Sequence, residues 1–300
     1  MRRACPVLAL FPAALALFAC GDLPSTPFLD ALAQRVVERI PILVGAGDIA
    51  ACDSPGDEAT ADLLDDIGGI VFTAGDNAYE VGSPLDFQNC YHPSWGRHRN
   101  RTRPALGNHE YLTPGAAGYF AYFGPAAGPA GLGYYSYDHA GWHIVVIDSE
   151  RQTLLHDPVQ QAWLRQDLAS HPAPCTLAYW HHPRFSSGTT HGSDPNMQDI
   201  WQILYDAAAD VVVSAHEHNY ERFAPQSPQG ELDPVRGIRQ LVVGTGGKSL
   251  YPFGPPIANS EIRYNADFGV LRLLLRSRDV LWEFINADRA VMDRGRQACH

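Results

Sequence analysis

From Pro41 onward the chain alternates short apolar runs with polar stretches, and many of the apolar runs end in a small residue followed by Asp, Asn or His. "PILVGAGD" (Pro41 to Asp48) and "IVFTAGD" (Ile70 to Asp76) are continuous enough to predict strands buried on both faces. Between them, "DSPGDEATADLLDDI" puts Pro and acidic residues ahead of an apolar spacing that predicts a helix. "RPALGNHE" follows as a third strand, and "GYYSYDHAGWHIVVIDSE" predicts a hairpin or an adjacent strand pair. Helices are expected over "PVQQAWLRQDLAS", with Pro158 at its start, and over "PNMQDIWQILYDAAA". Strands are expected at "CTLAYWHHP" and "DVVVSAHEH". The last third, "IRQLVVGTGG", "FGVLRLLLR" and "VLWEFIN", is rich in strands with turns such as "SRD". Strands alternating with helices early and strand pairs late predict an α/β fold in one domain: an αββα sandwich of two mixed β-sheets flanked by helices.

Five of the predicted strand ends carry side chains that bind metals: Asp48, Asp76, Asn108 with His109, His181, and His216 with His218. On an extended chain residues two apart share a face, so His216 and His218 are expected to project to the same side, one pleat apart. Polar groups gathered at the carboxyl edge of a sheet are where α/β folds place their sites. Carboxylate oxygen suits hard cations, imidazole suits zinc, iron or manganese, and a carboxylate has two oxygens with which to bridge a pair. The structural alternatives are ordinary ones: Asp after a strand commonly caps a turn, and a histidine at a strand end is commonly solvated.

Composition narrows the choice. The 300 residues are 45% hydrophobic, enough for a large core, and the formal net charge is −11. Lys248 is the only lysine, and no basic stripe exists to neutralise a nucleic-acid polymer. The first twenty residues, "MRRACPVLALFPAALALFAC", read as an export signal: two arginines, then an apolar run too short for a confident membrane span. Its "LFAC" ending is similar to a bacterial lipobox, which would place a lipid on Cys20; a soluble secreted product is the alternative. Residues 21–40 then form a linker or short helix, and 41–300 the folded domain. Cys52, Cys90, Cys175 and Cys299 allow three pairings in an exported chain. Cys52 with Cys90 is favoured because these flank loops expected to converge, and Cys175 with Cys299 because it would tie down the C-terminus.

Taken in order, "GDIA", "GDNAYE", "GNHE", "WHHP" and "AHEHNYER" resemble the signature blocks of the calcineurin-like metallophosphoesterases. Tyr79, three residues after the second aspartate, and the "HNYER" tail are similar to the purple acid phosphatase branch, in its single-domain form. The resemblance implies a first metal held by Asp48, Asp76, Tyr79 and His218, and a second held by Asp76, Asn108, His181 and His216. It implies two ions, iron paired with zinc, manganese or a second iron. It implies in-line attack on the phosphorus of a small phosphate ester by metal-bound hydroxide, with His109 contacting substrate and protonating the leaving oxygen. Asn108 would also face substrate, and His191 matches a further histidine of the plant-type members. His181 and His182 compete for one role; the block favours His181, leaving His182 to support it or to face substrate.

Each of these has a plainer rival. Tyr79 could be a core aromatic, His191 a solvated loop residue, and Glu221 and Arg222 loop braces. His92, His98, His139, His143, His156, His171 and His300 are expected on the surface or satisfied in the core. Two departures from the family pattern stand out: Ala215 for glycine before the first histidine of the last block, and Ala178 for valine. "VVGTGGKSL" (Val242 to Leu250) lacks the Lys-Ser/Thr spacing of a phosphate loop and is read as a glycine turn passing close beneath the site. "NCYHPSWG" (Asn89 to Gly96) is read as core packing. A phosphomonoesterase leads; a phosphodiesterase or nucleotide pyrophosphatase shares the same core, and a non-catalytic envelope lipoprotein is the reading from another class. No heptad repeat suggests an oligomeric state.

Overall fold

A computed structural model describes residues 40–300. The expected export signal, Cys20 and all but the last residue of the 21–40 segment lie outside the described residues. In the first sheet β1 (Ile42–Ala46), β2 (Ile70–Ala74) and β3 (Thr102–Ala105) run parallel. The second contains β4 (Tyr135–His139), β5 (Trp142–Val146), β6 (Cys175–Tyr179), β7 (Val211–Ser214), β8 (Tyr220–Phe223), β9 (Arg239–Val243) and β10 (Ser260–Tyr264), in the order β10-β8-β9-β7-β6-β5-β4. The antiparallel strands β11 (Gly269–Leu275), β12 (Asp279–Asn286) and β13 (Val291–Ala298) extend the first sheet to β13-β12-β11-β1-β2-β3.

The period-two alternation of the second sheet decides which layer each side chain joins. Ile144 and Val146, Leu177 and Tyr179, Val211 and Val213, and Leu241 and Val243 face the first sheet and belong to the larger core. Their neighbours Val145, Ala178, Val212 and Val242 face outward into a second core. Because both faces are covered, these strands read as unbroken apolar runs.

Helices α1 (Gly56–Asp66), α2 (Ala117–Phe123), α3 (Ser149–Leu155), α4 (Pro158–Ser170) and α5 (Gln198–Asp206) flank the sheets. Leu63 and Leu64 of α1 join the larger core; Leu164 of α4 and Ile200, Trp201, Ile203 and Leu204 of α5 close the second. Helix α4 starts as its sequence predicts, with Pro158 in the first turn and the Asp157 side chain accepting from the amides of Val159 and Gln160. The expected αββα sandwich of two mixed sheets is therefore the observed architecture.

Both expected disulfides are present, Cys52–Cys90 with a Cα separation of 4.8 Å and Cys175–Cys299 with 5.4 Å. Bridges across sequence separations of 38 and 124 residues remove unfolded-state freedom worth roughly 3–5 kcal/mol each. Tyr91 and Trp95 of the "NCYHPSWG" stretch are buried in the core, as expected. The Gly47 amide donates to Val243 O at 2.9 Å, so the carboxyl end of β1 meets that of β9. This junction puts the polar ends of both sheets at one edge.

Candidate metal centre

Strands deliver the ligands, but sharp turns aim them. Asp48, Asp76 and His216 follow β1, β2 and β7, and all three have left-handed backbone, with φ of 58°, 49° and 68°. Non-glycine residues adopt this region at a cost that surrounding structure must offset, and such residues cluster at functional sites. The expected pleat at His216 and His218 is thereby corrected: β7 ends at Ser214, and the left-handed turn at His216, rather than an extended chain, brings the two rings to the same edge.

Two groups of donor atoms result. In one, Tyr79 Oη lies 2.9 Å from Asp48 Oδ1, 3.0 Å from Asp76 Oδ2 and 3.3 Å from His218 Nε2, with His218 Nε2 3.3 Å from Asp48 Oδ1. In the other, His181 Nε2 lies 3.2 Å from Asp76 Oδ2, 3.1 Å from Asn108 Oδ1 and 3.0 Å from His216 Nδ1. Asp76 Oδ2 belongs to both groups. Donors about 2.0–2.2 Å from one cation stand about 3 Å apart, so each group has the spacing of a coordination shell. All seven residues expected as ligands are in these groups.

The chemistry of the donors also fits cations. His181 Nδ1 faces Ala74 O at 2.8 Å, which directs Nε2 toward a carboxylate, an amide oxygen and a second imidazole nitrogen. Asp48 and Asp76 are buried, and among the described residues neither is paired with an arginine or lysine. Burial alone would push both carboxyls up, but the surrounding imidazoles, His218 and His181 at Asp48 and His181 and His109 at Asp76, hold both below the ordinary aspartate range. Burial opposes a charge on His181, yet Asp76 and Asp48 raise it to about 10. A proton on His181 thus supplies the positive charge that a bound cation would replace. Burial and then Asp48 and Asp76 raise the Tyr79 phenol, which keeps its proton without a cation. His216 is lowered by burial and by His181.

Further residues brace the ligands. Glu110, the last letter of "GNHE", is fully buried; its carboxylate accepts from Gly107 N at 2.8 Å, Asn77 N at 2.7 Å and Asp76 N at 3.1 Å. Burial and the nearby Asp76 push the Glu110 carboxyl up to about 8. A Cβ on Gly107 would stand 2.1 Å from Asp76 Oδ1, so glycine alone fits in that block. Asp76 Oδ1 accepts from His109 N and Asp48 Oδ2 from His216 N, both at 2.9 Å, which ties the second block to the third and the first to the last. Ser249 pairs with His218 Nδ1 at 2.8 Å, and Tyr251 stacks on the His218 ring with centroids 3.9 Å apart.

Sequence reasoning assigned no role to Glu110, Ser149, Glu217, Ser249 or Tyr251. Glu110 was legible in its block; the others have no local signal. The glycine turn passes where expected: a Cβ on Gly244 would lie 2.5 Å from Asp48 Oδ2, and the Lys248 amide donates to Asp48 O at 3.0 Å.

His109 Nδ1 contacts Glu80 O at 2.5 Å, and its Nε2 lies 3.9 Å from Asp76 Oδ2. His191 is exposed and stacks on His216 with centroids 3.9 Å apart. His182 is buried, its Nδ1 2.9 Å from Ser149 Oγ and its Nε2 3.4 Å from Glu150, while burial and His181 lower it to about 3. Of its two expected roles, this environment fits support rather than substrate contact. Ser149 Oγ also accepts from the amides of His181 and His182 at 3.3 and 3.1 Å. Glu221 and Arg222 are braces: Glu221 accepts from Ser187 N at 2.7 Å, and Arg222 pairs with Asp293 at 2.7 Å.

Comparison with known proteins supplies a family. A model of the calcineurin-like phosphoesterase family matches residues 18–220. Purple acid phosphatase 15 of Arabidopsis thaliana is 33% identical over 121 residues, 38% of this chain and 22% of that protein. Purple acid phosphatase 22 of the same plant is 33% identical over 149 residues, 47% of this chain and 33% of that protein. The match thus spans about a third or less of those relatives' length. The structure of purple acid phosphatase PPD1 from yellow lupin superposes with a TM-score of 0.69 at 20% identity, covering 85% of this chain and 53% of that one. GAP50, the anchor in the inner membrane complex of Plasmodium, superposes with a TM-score of 0.69 at 14% identity, covering 87% and 89%. At these identities the structural likeness concerns the fold alone.

Proposed function

Because the chain belongs to the calcineurin-like phosphoesterase family, we propose that it is a dinuclear metal-dependent phosphoric ester hydrolase acting on small phosphomonoesters. The observation that carries this reading is the convergence of Asp48, Asp76, Tyr79, Asn108, His181, His216 and His218 into two groups that share Asp76 Oδ2. Asp48, Asp76, Tyr79 and His218 would hold one ion; Asp76, Asn108, His181 and His216 would hold the other. Iron paired with zinc, manganese or a second iron suits a set that mixes phenol, carboxylate and imidazole. Two such ions, when bound, neutralise phosphate oxygens and lower the pKa of water so that a nucleophile exists near neutral pH.

The chain's own residues do the rest. Asn108 and His109, adjacent on one helical turn, orient the phosphate; Glu110 fixes that turn through the amides of Gly107, Asn77 and Asp76. With Nδ1 held by Glu80 O, His109 would turn Nε2 toward the leaving oxygen and pass it a proton from there. His191, exposed beside His216, would contact a second phosphate oxygen. The disulfides support an exported protein, either a periplasmic or cell-envelope lipoprotein anchored through Cys20 or a secreted one.

The test combines metal analysis with turnover of an aryl phosphomonoester, an aryl phosphodiester and a nucleoside triphosphate, on wild type and Asn108→Ala. The expected result is two ions per chain, fastest turnover of the monoester, and a loss of about a hundredfold or more in kcat/KM for Asn108→Ala. Preference for the diester or the nucleotide would move the assignment to a phosphodiesterase or pyrophosphatase. Two bound ions with no turnover of any phosphate ester would overturn the enzyme reading.

A further inference from the structure

We infer that Glu217, the residue between the two histidines, is the positioning residue that presents His191 to the substrate. The inference rests on the phosphoester hydrolase reading above. Glu217 is fully buried, and its Oε1 accepts from the backbone amides of His191 at 2.5 Å and Gly192 at 2.6 Å. The same acidic segment grips the loop a second time, since Glu221 Oε2 accepts from Ser187 N at 2.7 Å. Between these two anchors lies Gly188, where an added Cβ would stand 2.2–2.6 Å from the Glu217 carboxylate carbon and oxygens.

The consequence is geometric. His191 is exposed, yet its ring stacks on His216 with centroids 3.9 Å apart. A carboxylate receiving two amides in a buried place forms charge-assisted bonds stronger than neutral ones. The chain therefore uses one short segment twice: His216 and His218 join the two donor groups, while Glu217 ties down the loop carrying the substrate-facing histidine. Backbone amides, not the His191 ring, receive the anchor, so the ring nitrogens stay available to a phosphate oxygen.

The experiment compares wild type, Glu217→Ala, Glu217→Gln, His191→Ala, the Glu217→Ala/His191→Ala double variant and Gly188→Ala. In the metal-free protein, hydrogen exchange at the amides of His191 and Gly192 should quicken by about tenfold or more in Glu217→Ala and in Gly188→Ala. With metal restored to wild-type stoichiometry, kcat/KM should fall about tenfold in both Glu217→Ala and His191→Ala, mainly through KM. The double variant should fall no further, and Glu217→Gln, which keeps an acceptor oxygen, should recover most of the loss.

Unchanged exchange in Glu217→Ala, or losses that multiply in the double variant, would overturn the assignment. Loss of metal from Glu217→Ala would also overturn it, making Glu217 a support of the ligand pair instead. If the wild type turns over no phosphate ester, the functional reading fails while the exchange measurement still decides whether Glu217 holds the loop.

Discussion

Two clusters of aspartate and histidine lie at opposite ends of the second sheet, and they differ in how their ring nitrogens are engaged. At the far end, His143 near the start of β5 is buried between Asp138, 2.8 Å from its Nδ1, and Asp167, 2.9 Å from its Nε2. His171 reaches Asp167 as well, and its ring lies parallel to that of His143 at 4.9 Å. Both nitrogens of His143 are thus already committed to carboxylates, and parallel rings do not aim their lone pairs at one point. At the metal centre His181 Nε2 instead faces Asp76 Oδ2, Asn108 Oδ1 and His216 Nδ1. The same residue types therefore make a closed ionic network in one place and a convergent set of donors, the proposed cation site, in the other, and the direction of the lone pairs separates them.

Breaking the shared ligand should have the largest effect. Asp76→Ala removes the oxygen common to both donor groups, and we expect loss of both ions by metal analysis and a fall of about a thousandfold or more in turnover. Removing the brace behind it should do less: Glu110→Gln is expected to weaken metal affinity by about ten- to a hundredfold, measured by competition with a chelator.

The far cluster supplies the smallest effect and a different signature. Burial opposes the charge on His143, but the hydrogen bonds it donates to Asp167 and Asp138 raise its pKa overall; burial opposes the charge on Asp167, but His143 lowers its pKa overall. The stability from His143 is complete below the ordinary histidine range and fades as pH rises through its raised value. The part from Asp167 is present above the ordinary aspartate range and fades as pH falls through its lowered value. His143→Gln should therefore cost about 2 kcal/mol near pH 5 and less near pH 9, by chemical denaturation, with metal content unchanged. Metal loss in His143→Gln would show that the two clusters are not independent.

Much of this was legible in the chain. Apolar runs ending in Gly-Asp marked β1 and β2, and the layered alternation of β5, β6, β7 and β9 follows from strands covered on both faces. Pro158 marked the start of α4, and the four cysteines that follow the expected export signal pointed to two bridges. The five blocks named the donors because the chemistry of cation binding restricts residue type strongly. What they did not reveal were contacts between distant segments: Ser149 under His181, Ser249 and Tyr251 against His218, and Glu217 beneath the His191 loop. A serine or glutamate has many uses, and nothing local distinguishes one that will receive an amide from a segment twenty or more positions away.

By itself, then, the sequence determined the kind of donors, their order and the strand ends that carry them, since these depend on side-chain chemistry and on periodicities of two and 3.6 residues. The tertiary structure decided which atoms meet. Left-handed turns at Asp48, Asp76 and His216, the meeting of β1 with β9 and the burial of His182 all arise when two sheets pack face to face with their polar strand ends at one edge. A separation of about 3 Å between donors is a property of that packing, and no stretch of chain contains it alone.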